Sequence, residues 1–367
     1  MKVARWHNNN DVRIEDDPAP VPGDHEALVK VISCGICGSD VVEWYRLPRA
    51  PLVPGHEMGA EVIEVGRSVK KIKPGDRVFI APKAPCMECF HCKTGRYPAC
   101  CETTERLPGG FSEYVLVPRS LIEHGTYLLP DAISFDQSVF IEPLACVTRA
   151  WRLAAARICS SADLMSCHAR ASDAGSREFR PSDVGPSDIR SVLIIGCGVS
   201  GLMHIKLAKI KNIPSFAVDI DRVRIEKAIE FGAEQAFDAR QDVSKRLIEK
   251  NGKKADLVIL CASAVSAVEQ AWECVEKGGA IVFFTVPEPD QPVTIPINSL
   301  WTSEVAILTS YYCGPPDIIE AMRLIETQTI NVDEMITHTL PLNETADGFQ
   351  RVVEGGNALK VIIKPNG

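Results

Sequence analysis

Several things are missing from this chain. No stretch approaches the roughly 18 consecutive apolar residues a transmembrane helix needs. The opening residues, MKVARWHNNNDVRIEDD, contain no apolar h-region of the kind a secretory signal carries. There is no basic excess either: 40 Lys and Arg against 48 Asp and Glu leave a net charge of -8. That balance gives no support to nucleic acid or an anionic membrane as partner. No internal repeat is present. The expectation is a cytoplasmic protein with a small-molecule partner.

What is present is the composition of an ordinary globular protein: 367 residues, 46% hydrophobic and 24% charged. That length predicts two domains. Fourteen cysteines without an export signal read as metal ligands and buried thiols in a reducing compartment.

The texture changes along the chain. Up to about residue 145, short apolar strands such as Leu28–Ile32 and Val62–Val65 are broken by Pro-Gly and Gly-Gly turns, which predicts an antiparallel barrel or sandwich. After residue 190, strands at Val192–Ile195, Phe216–Val218, Asp256–Cys261 and Ala280–Phe284 alternate with helices at Gly201–Lys211 and Arg222–Phe231. That alternation predicts a parallel sheet covered by helices on both faces. A helix at Asp317–Glu326 and a strand at Lys360–Ile363 are expected in the tail. Residues 157–190 fit neither texture. Rich in Ser, Asp, Arg and Pro, they read as an inserted surface loop, and their Cys159, Cys167 and His168 lack a nearby fourth ligand for a metal site.

Three motifs carry chemistry. Cys86, Cys89, Cys92 and Cys100 are spaced to wrap one ion in thiolate; zinc in a closed, structural site is expected, with a small iron–sulfur cluster as the alternative. Cys101 competes with Cys100 for the fourth position. Second, Cys37-Gly38-Ser39-Asp40, His56-Glu57 and the distant Glu142 supply a thiolate, an imidazole and carboxylates, a set suited to zinc with an open coordination position. Asp40 can take the remaining imidazole N–H of His56 and fix its tautomer. Third, Gly196-Cys197-Gly198-Val199-Ser200-Gly201 joins an apolar strand to a helix, the context in which GxGxxG cradles a pyrophosphate. Asp219, 18 residues after Gly201, would bind a ribose 2′-OH and favour NAD over NADP, while Arg222 and Arg224 weaken that preference.

With these residues in place, the chain resembles the zinc-containing medium-chain alcohol and polyol dehydrogenases, in the branch of sorbitol, xylitol, butanediol and threonine dehydrogenases. The resemblance rests on CGICGSD (34–40), PGHE (54–57), KPGDRV (73–78), the four-cysteine lobe, GGFSEY (109–114), IEPLAC (141–146) and VLIIGCGVSGL (192–202). It implies an α/β architecture: a GroES-like β-barrel catalytic domain over 1–145, completed by 313–367, and a Rossmann doubly wound parallel-sheet domain over 146–312. It implies two zinc ions, with Cys37 and His56 as ligands of the catalytic one and Glu57 or Glu142 as the third. Ser39 takes the place of the hydroxyl that bonds the substrate oxygen and starts proton removal. Thr285, Val286, Ser310 and Tyr311 fall where backbone lines the nicotinamide. A homodimer or homotetramer is implied, built through edge strands such as Ala280–Phe284.

The implied reaction is hydride transfer from a secondary alcohol, a polyol or diol, to NAD. Within the same class, a threonine-type amino alcohol, a sugar acid or a ring alcohol are alternatives. A zinc-free quinone reductase is disfavoured by both donor sets, and a catalytically silent zinc- and nucleotide-binding protein by the intact motifs. The segment between Asp40 and His56 is shorter than in sorbitol dehydrogenases and carries Trp44, Tyr45 and Arg46, which would reshape specificity if they border the pocket. The insertion is expected to interrupt the helix that normally leads from EPLAC to the Rossmann strand.

Overall fold

The computed structural model describes residues 1–102, 105–158 and 189–367. Among these, the chain divides into two compact units, Met1–Ala145 with Cys313–Gly367, and Cys146–Tyr312. In chain order the strands are β1 (Lys2–Asn8), β2 (Asp11–Asp16), β3 (Ala27–Gly35), β4 (Glu57–Val65), β5 (Arg77–Ile80), β6 (Tyr114–Val117), β7 (Thr126–Leu128), β8 (Val192–Ile195), β9 (Ser215–Asp219), β10 (Gln235–Asp238), β11 (Ala255–Leu260), β12 (Val275–Phe283), β13 (Ala306–Thr309), β14 (Ile336–Pro341) and β15 (Lys360–Lys364).

In the first unit β1 and β2 pair as a hairpin, and a seven-stranded sheet runs β14-β15-β3-β4-β5-β7 with β6 also on β3. All its pairings are antiparallel except β14 with β15. β3 shows why: Ala27, Val29 and Val31 are buried while Leu28, Lys30 and Ile32 are partly exposed, the period-two pattern of a sheet with one face in the core. Trp6, Met58, Phe111, Phe349 and Ile363 fill that core. Because β15 lies beside β3, the last residues of the chain are built into the interior of this unit.

The second unit has a six-stranded sheet in the order β10-β9-β8-β11-β12-β13, every pair parallel. This is the strand order of the dinucleotide-binding doubly wound fold. β8 and β9 are buried at every residue, as strands covered on both faces must be.

Two of the three expected helices begin two residues earlier, at Val199 and Pro315, and the third begins at Arg222 as expected. Helix Ile141–Ile158 runs through EPLAC for 18 residues and reaches the start of the insertion. Arg157 and Ile158 belong to that helix rather than to the insertion; the remainder of the insertion up to residue 188, with Cys159, Cys167 and His168, lies outside the described residues. The strand expected at a sheet edge, Ala280–Phe284, is interior: β12 pairs with both β11 and β13, and the edge is β13. Apolar runs of similar length do not reveal which lies outermost. Among the described residues no helix is long and apolar enough to cross a membrane.

Candidate active site

The four-cysteine lobe is local. The sulfurs of Cys86, Cys89, Cys92 and Cys100 lie within 4.8 Å of one another. Cys86 and Cys92 are 3.8 Å apart and Cys89 and Cys92 3.5 Å. A tetrahedral ion with Zn–S bonds of about 2.3 Å puts sulfurs roughly 3.8 Å apart, so the donors fit zinc. The backbone N–H groups of Cys86 and Cys89 donate to Cys100 Sγ and Cys86 Sγ at 3.4 and 3.3 Å, support that thiolates require. Burial and hydrogen bonds with its neighbours push the Cys92 thiol up to about 12, a cost that a cation among the sulfurs would remove. Cys101 is exposed and turned to Glu102, whereas Cys100 lies in the sulfur group. His91 is partly buried and outside the sulfur group.

The second donor set is assembled from distant segments. Cys37 Sγ, a His56 ring nitrogen and a Glu57 oxygen lie within 4.8 Å of one another. A tight turn at Gly38–Asp40 carries the first: Cys37 Sγ accepts from Ser39 N–H at 3.4 Å, while Asp40 Oδ2 accepts from Cys37 N–H at 3.1 Å. Ser39 Oγ donates to Cys37 Sγ at 3.4 Å. Asp40 Oδ1 lies 3.3 Å from His56 Nδ1, at ion-pair distance although off line for a strong hydrogen bond. Burial would lower the His56 imidazole, but the charges of Asp40 and Cys37 outweigh it and raise it well above its usual range. Burial likewise opposes ionisation of Asp40, yet His56 and Arg46 hold its carboxyl below the usual value.

Two cations complete this shell. Arg46 Nη2 donates to Asp40 Oδ1 at 2.7 Å and to Ser39 Oγ at 3.3 Å, and its Nε donates to Ser39 O at 3.0 Å. Lys360, from β15, donates to Glu57 Oε2 at 2.5 Å, with both side chains almost wholly buried. Burial works against the Lys360 ammonium, but the Glu57 carboxylate prevails and raises it. Gly35, opposite Glu57 across β3 and β4, leaves the room: a Cβ there would sit 2.5 Å from Glu57 Oε2. Glu57 Oε1 is buried with no hydrogen-bond partner, and a Glu57 carboxylate oxygen belongs to the Cys37 and His56 group. Three donors, one of them with an unpartnered oxygen, fit a zinc ion with one open position.

Glu142 is not in this group. It is buried in the first turn of helix Ile141–Ile158, with a carboxylate oxygen within 4.8 Å of Cys313 Sγ. Lys360 and Cys313 are the residues sequence reading missed here. An isolated lysine opening the apolar run KVII was the only available signal for the first.

In the second unit the glycine turn leaves β8. Gly196 has φ +101°, and a Cβ would meet the Cys261 carbonyl carbon at 2.8 Å, so only glycine fits. Gly201 packs on Gly196, whose carbonyl oxygen would lie 1.9 Å from an added Cβ. Around Gly198 the space is open, and helix Val199–Ile210 begins there with no side-chain cap. Uncapped N–H groups beside open space fit a pyrophosphate. Asp219 ends β9; its Oδ2 accepts from Cys197 N–H at 2.7 Å and its Oδ1 from Asp221 N–H at 2.9 Å. Those bonds orient the carboxylate and leave it lone pairs for a ribose hydroxyl. Arg224 has a buried Nε without a partner. Thr285 and Val286 follow β12, and Ser310 and Tyr311 follow β13, so they stand with the glycine turn at the carboxyl edge of the sheet, where such folds bind ligands. Ser310 Oγ is buried with no partner, whereas Val286 and Tyr311 are exposed.

Residues 23–127 match the alcohol dehydrogenase GroES-like domain and residues 200–327 the zinc-binding dehydrogenase domain. The chain belongs to the zinc-containing medium-chain alcohol and polyol dehydrogenases. This dehydrogenase is 28% identical to sorbitol dehydrogenase of Gallus gallus over 98% of its own length and 94% of the relative's. The solved structure of 2R,3R-butanediol dehydrogenase from Bacillus subtilis matches it at 25% identity and a TM-score of 0.78, covering 100% of this chain and 99% of the other. A Sinorhizobium meliloti protein described as a zinc-binding dehydrogenase, solved bound to NADP, matches at 26% identity and a TM-score of 0.80, with 99% of each chain covered. Membership makes the dehydrogenase an enzyme of the CH–OH class that works with zinc and a nicotinamide dinucleotide. Its architecture is a GroES-like domain with a Rossmann-type domain.

Proposed function

We propose that the dehydrogenase oxidises a secondary alcohol of the polyol or diol class, with the first unit as the catalytic domain and the second as the nucleotide domain. Support comes from the Cys37, His56 and Glu57 donors gathered within 4.8 Å, together with the open glycine turn. Zinc held there would supply Lewis acidity toward the alcohol oxygen, and a bound nicotinamide dinucleotide would supply the hydride acceptor.

The chain's own residues divide the remaining work. Cys37 and His56 hold the metal with Glu57 as third ligand through Oε1, because Lys360 occupies only Oε2. Glu142 is the weaker candidate for ligation, being grouped with Cys313 instead. Asp40 orients His56, and Ser39 Oγ, held by Arg46, is placed to hydrogen-bond the substrate hydroxyl. Gly196, Gly198, Val199 and Gly201 cradle the pyrophosphate, with Ser310 and Thr285 beside the nicotinamide end. Cys86, Cys89, Cys92 and Cys100 hold the second, structural zinc. Asp219 favours NAD, since a carboxylate repels a 2′-phosphate.

The reading extends to assembly and location. The edge strand β13, with Ile307 exposed, is the surface on which a homodimer or homotetramer would form. A reducing cytoplasm suits the free cysteines.

An absorbance screen of NAD reduction across diols, polyols and amino alcohols, on zinc-replete protein with its metal content measured, tests the proposal. Cys37→Ser is expected to cut turnover by about a thousandfold or more, within the range that one essential group contributes. NADH affinity, read by fluorescence titration, should stay within about twofold. Loss of NADH binding in the folded variant would sink the division of roles.

A further inference from the structure

Tyr45, next in sequence to Arg46, has cations about its ring. The Arg49 guanidinium carbon lies 4.6 Å from its ring centroid and that of Arg46 5.4 Å. Arg49 Nη2 also donates to Tyr45 O at 3.0 Å. Lys83 lies in the field of the same phenol and is bridged in backbone to Arg106. Burial lowers the Lys83 ammonium, and the Arg106 charge lowers it further, so these groups repel one another. Arg49 and Arg106 are exposed, and among the described residues neither has a carboxylate partner. Within this group Arg46 is already paired with the buried carboxylate of Asp40 at 2.7 Å. Clustering like charges there costs stability that the fold itself does not require.

The cluster connects directly to the reacting centre. Arg46, with 11% of its side chain exposed, stands 3.3 Å from Ser39 Oγ. The segment bearing it is bolted down. Asn9 N–H donates to Glu43 Oε1 at 2.9 Å, Asn9 Nδ2 to Val41 O at 2.8 Å, and Gln350 Nε2 to Asn9 O at 2.6 Å. Held by three such bonds, the cations present a set geometry. Guanidinium forks match carboxylate and phosphate oxygens equally well.

We infer that the alcohol oxidised at this centre carries an anionic group, a carboxylate or a phosphate, received by the face of Arg46, Arg49, Lys83 and Arg106. The inference rests on the dehydrogenase reading and narrows its substrate to hydroxy acids, sugar acids or polyol phosphates.

The test uses D-glucitol, D-gluconate and D-glucitol 6-phosphate, which share one carbon chain and differ in the terminal group, with zinc-replete enzyme and NAD. One anionic compound is expected to exceed D-glucitol in kcat/KM by about tenfold or more at low salt, and its advantage should shrink as ionic strength rises. Which one wins separates carboxylate from phosphate. Arg49→Glu should lower the anionic-to-neutral ratio of kcat/KM by about tenfold, while Arg49→Lys retains most of it. D-glucitol turning over as well as both anions, with a ratio that Arg49→Glu does not move, overturns the inference and leaves the dehydrogenase reading standing. Should none of the three turn over, calorimetric titration of the same enzyme with inorganic phosphate and D-gluconate decides. Saturable binding that Arg49→Glu and Arg106→Glu remove supports the anion face; no binding overturns it.

Discussion

Each unit buries a carboxylate where its site is built, and the two stabilise it by different means. Glu57 in the first unit is paired with a lysine 303 residues away in sequence. Asp219 in the second is held by backbone N–H groups of the glycine turn and of Asp221, two residues on. A side-chain cation neutralises charge and so would keep Glu57 from cancelling the positive charge of a metal held beside it. Backbone amides orient Asp219 while leaving its negative charge to act on a ribose. Each support suits the chemistry beside it, since the metal centre needs its carboxylate moderated, whereas the nucleotide site needs its carboxylate to discriminate.

The same contrast predicts unequal consequences. Lys360→Met leaves Glu57 buried without its counter-charge and should cost about 3–5 kcal/mol, the usual penalty for breaking one side of a buried pair. Chemical denaturation monitored by fluorescence reads this, and Lys360→Arg should recover part of it. An effect near zero would mean that Glu57 is satisfied otherwise. Asp219→Asn keeps an acceptor for the turn, so the fold should survive. Losing the charge-assisted bond to the ribose should weaken NAD binding by about 1.5–3 kcal/mol, roughly tenfold or more. NADP should lose less, and comparing the two dissociation constants sharpens the role of the backbone-held acid.

A further effect, read per pH unit, concerns a buried group of the second unit that is kept neutral. His204 Nδ1 accepts from Trp151 Nε1 at 3.0 Å, and burial pushes the imidazole down to about 3. Its folded value lies below the unfolded one near 6.5, so the unfolded chain binds the extra proton. Stability is therefore complete above about pH 6.5. It falls by up to about 1.4 kcal/mol per pH unit as pH drops from there toward the folded value. His204→Gln, which cannot titrate, should flatten that part of the curve relative to the parent. Parallel curves for parent and variant would refute the assignment.

Legibility followed distance along the chain. The thiolate lobe was readable because Cys86, Cys89, Cys92 and Cys100 come from one short segment, although choosing Cys100 over Cys101 required their positions. The nucleotide turn was readable for the same reason, down to Asp219 at the end of the next strand. Arg46 stood out as a residue able to alter the pocket, but its grip on Asp40 and Ser39 depends on how residues 41–46 are tied to Asn9. Glu142 looked like a ligand by its place in EPLAC; its position on the helix puts it with Cys313 instead.

Residue order alone thus determined which chemistries this chain can perform, since thiolate spacing, the strand–glycine–helix junction and alternating apolar texture act over a turn or a strand. The packing of β15 against β3, and of the N-terminal hairpin against the segment at 41–46, decided how that chemistry is tuned. It brought Lys360 to Glu57 and fixed Arg46 over Ser39. The Lys360–Glu57 encounter is not encoded locally: it depends on burying apolar faces far apart in sequence, and the charges they carry come along with that packing. The Arg46–Ser39 contact is local in sequence, but it is held by bonds to the distant Asn9.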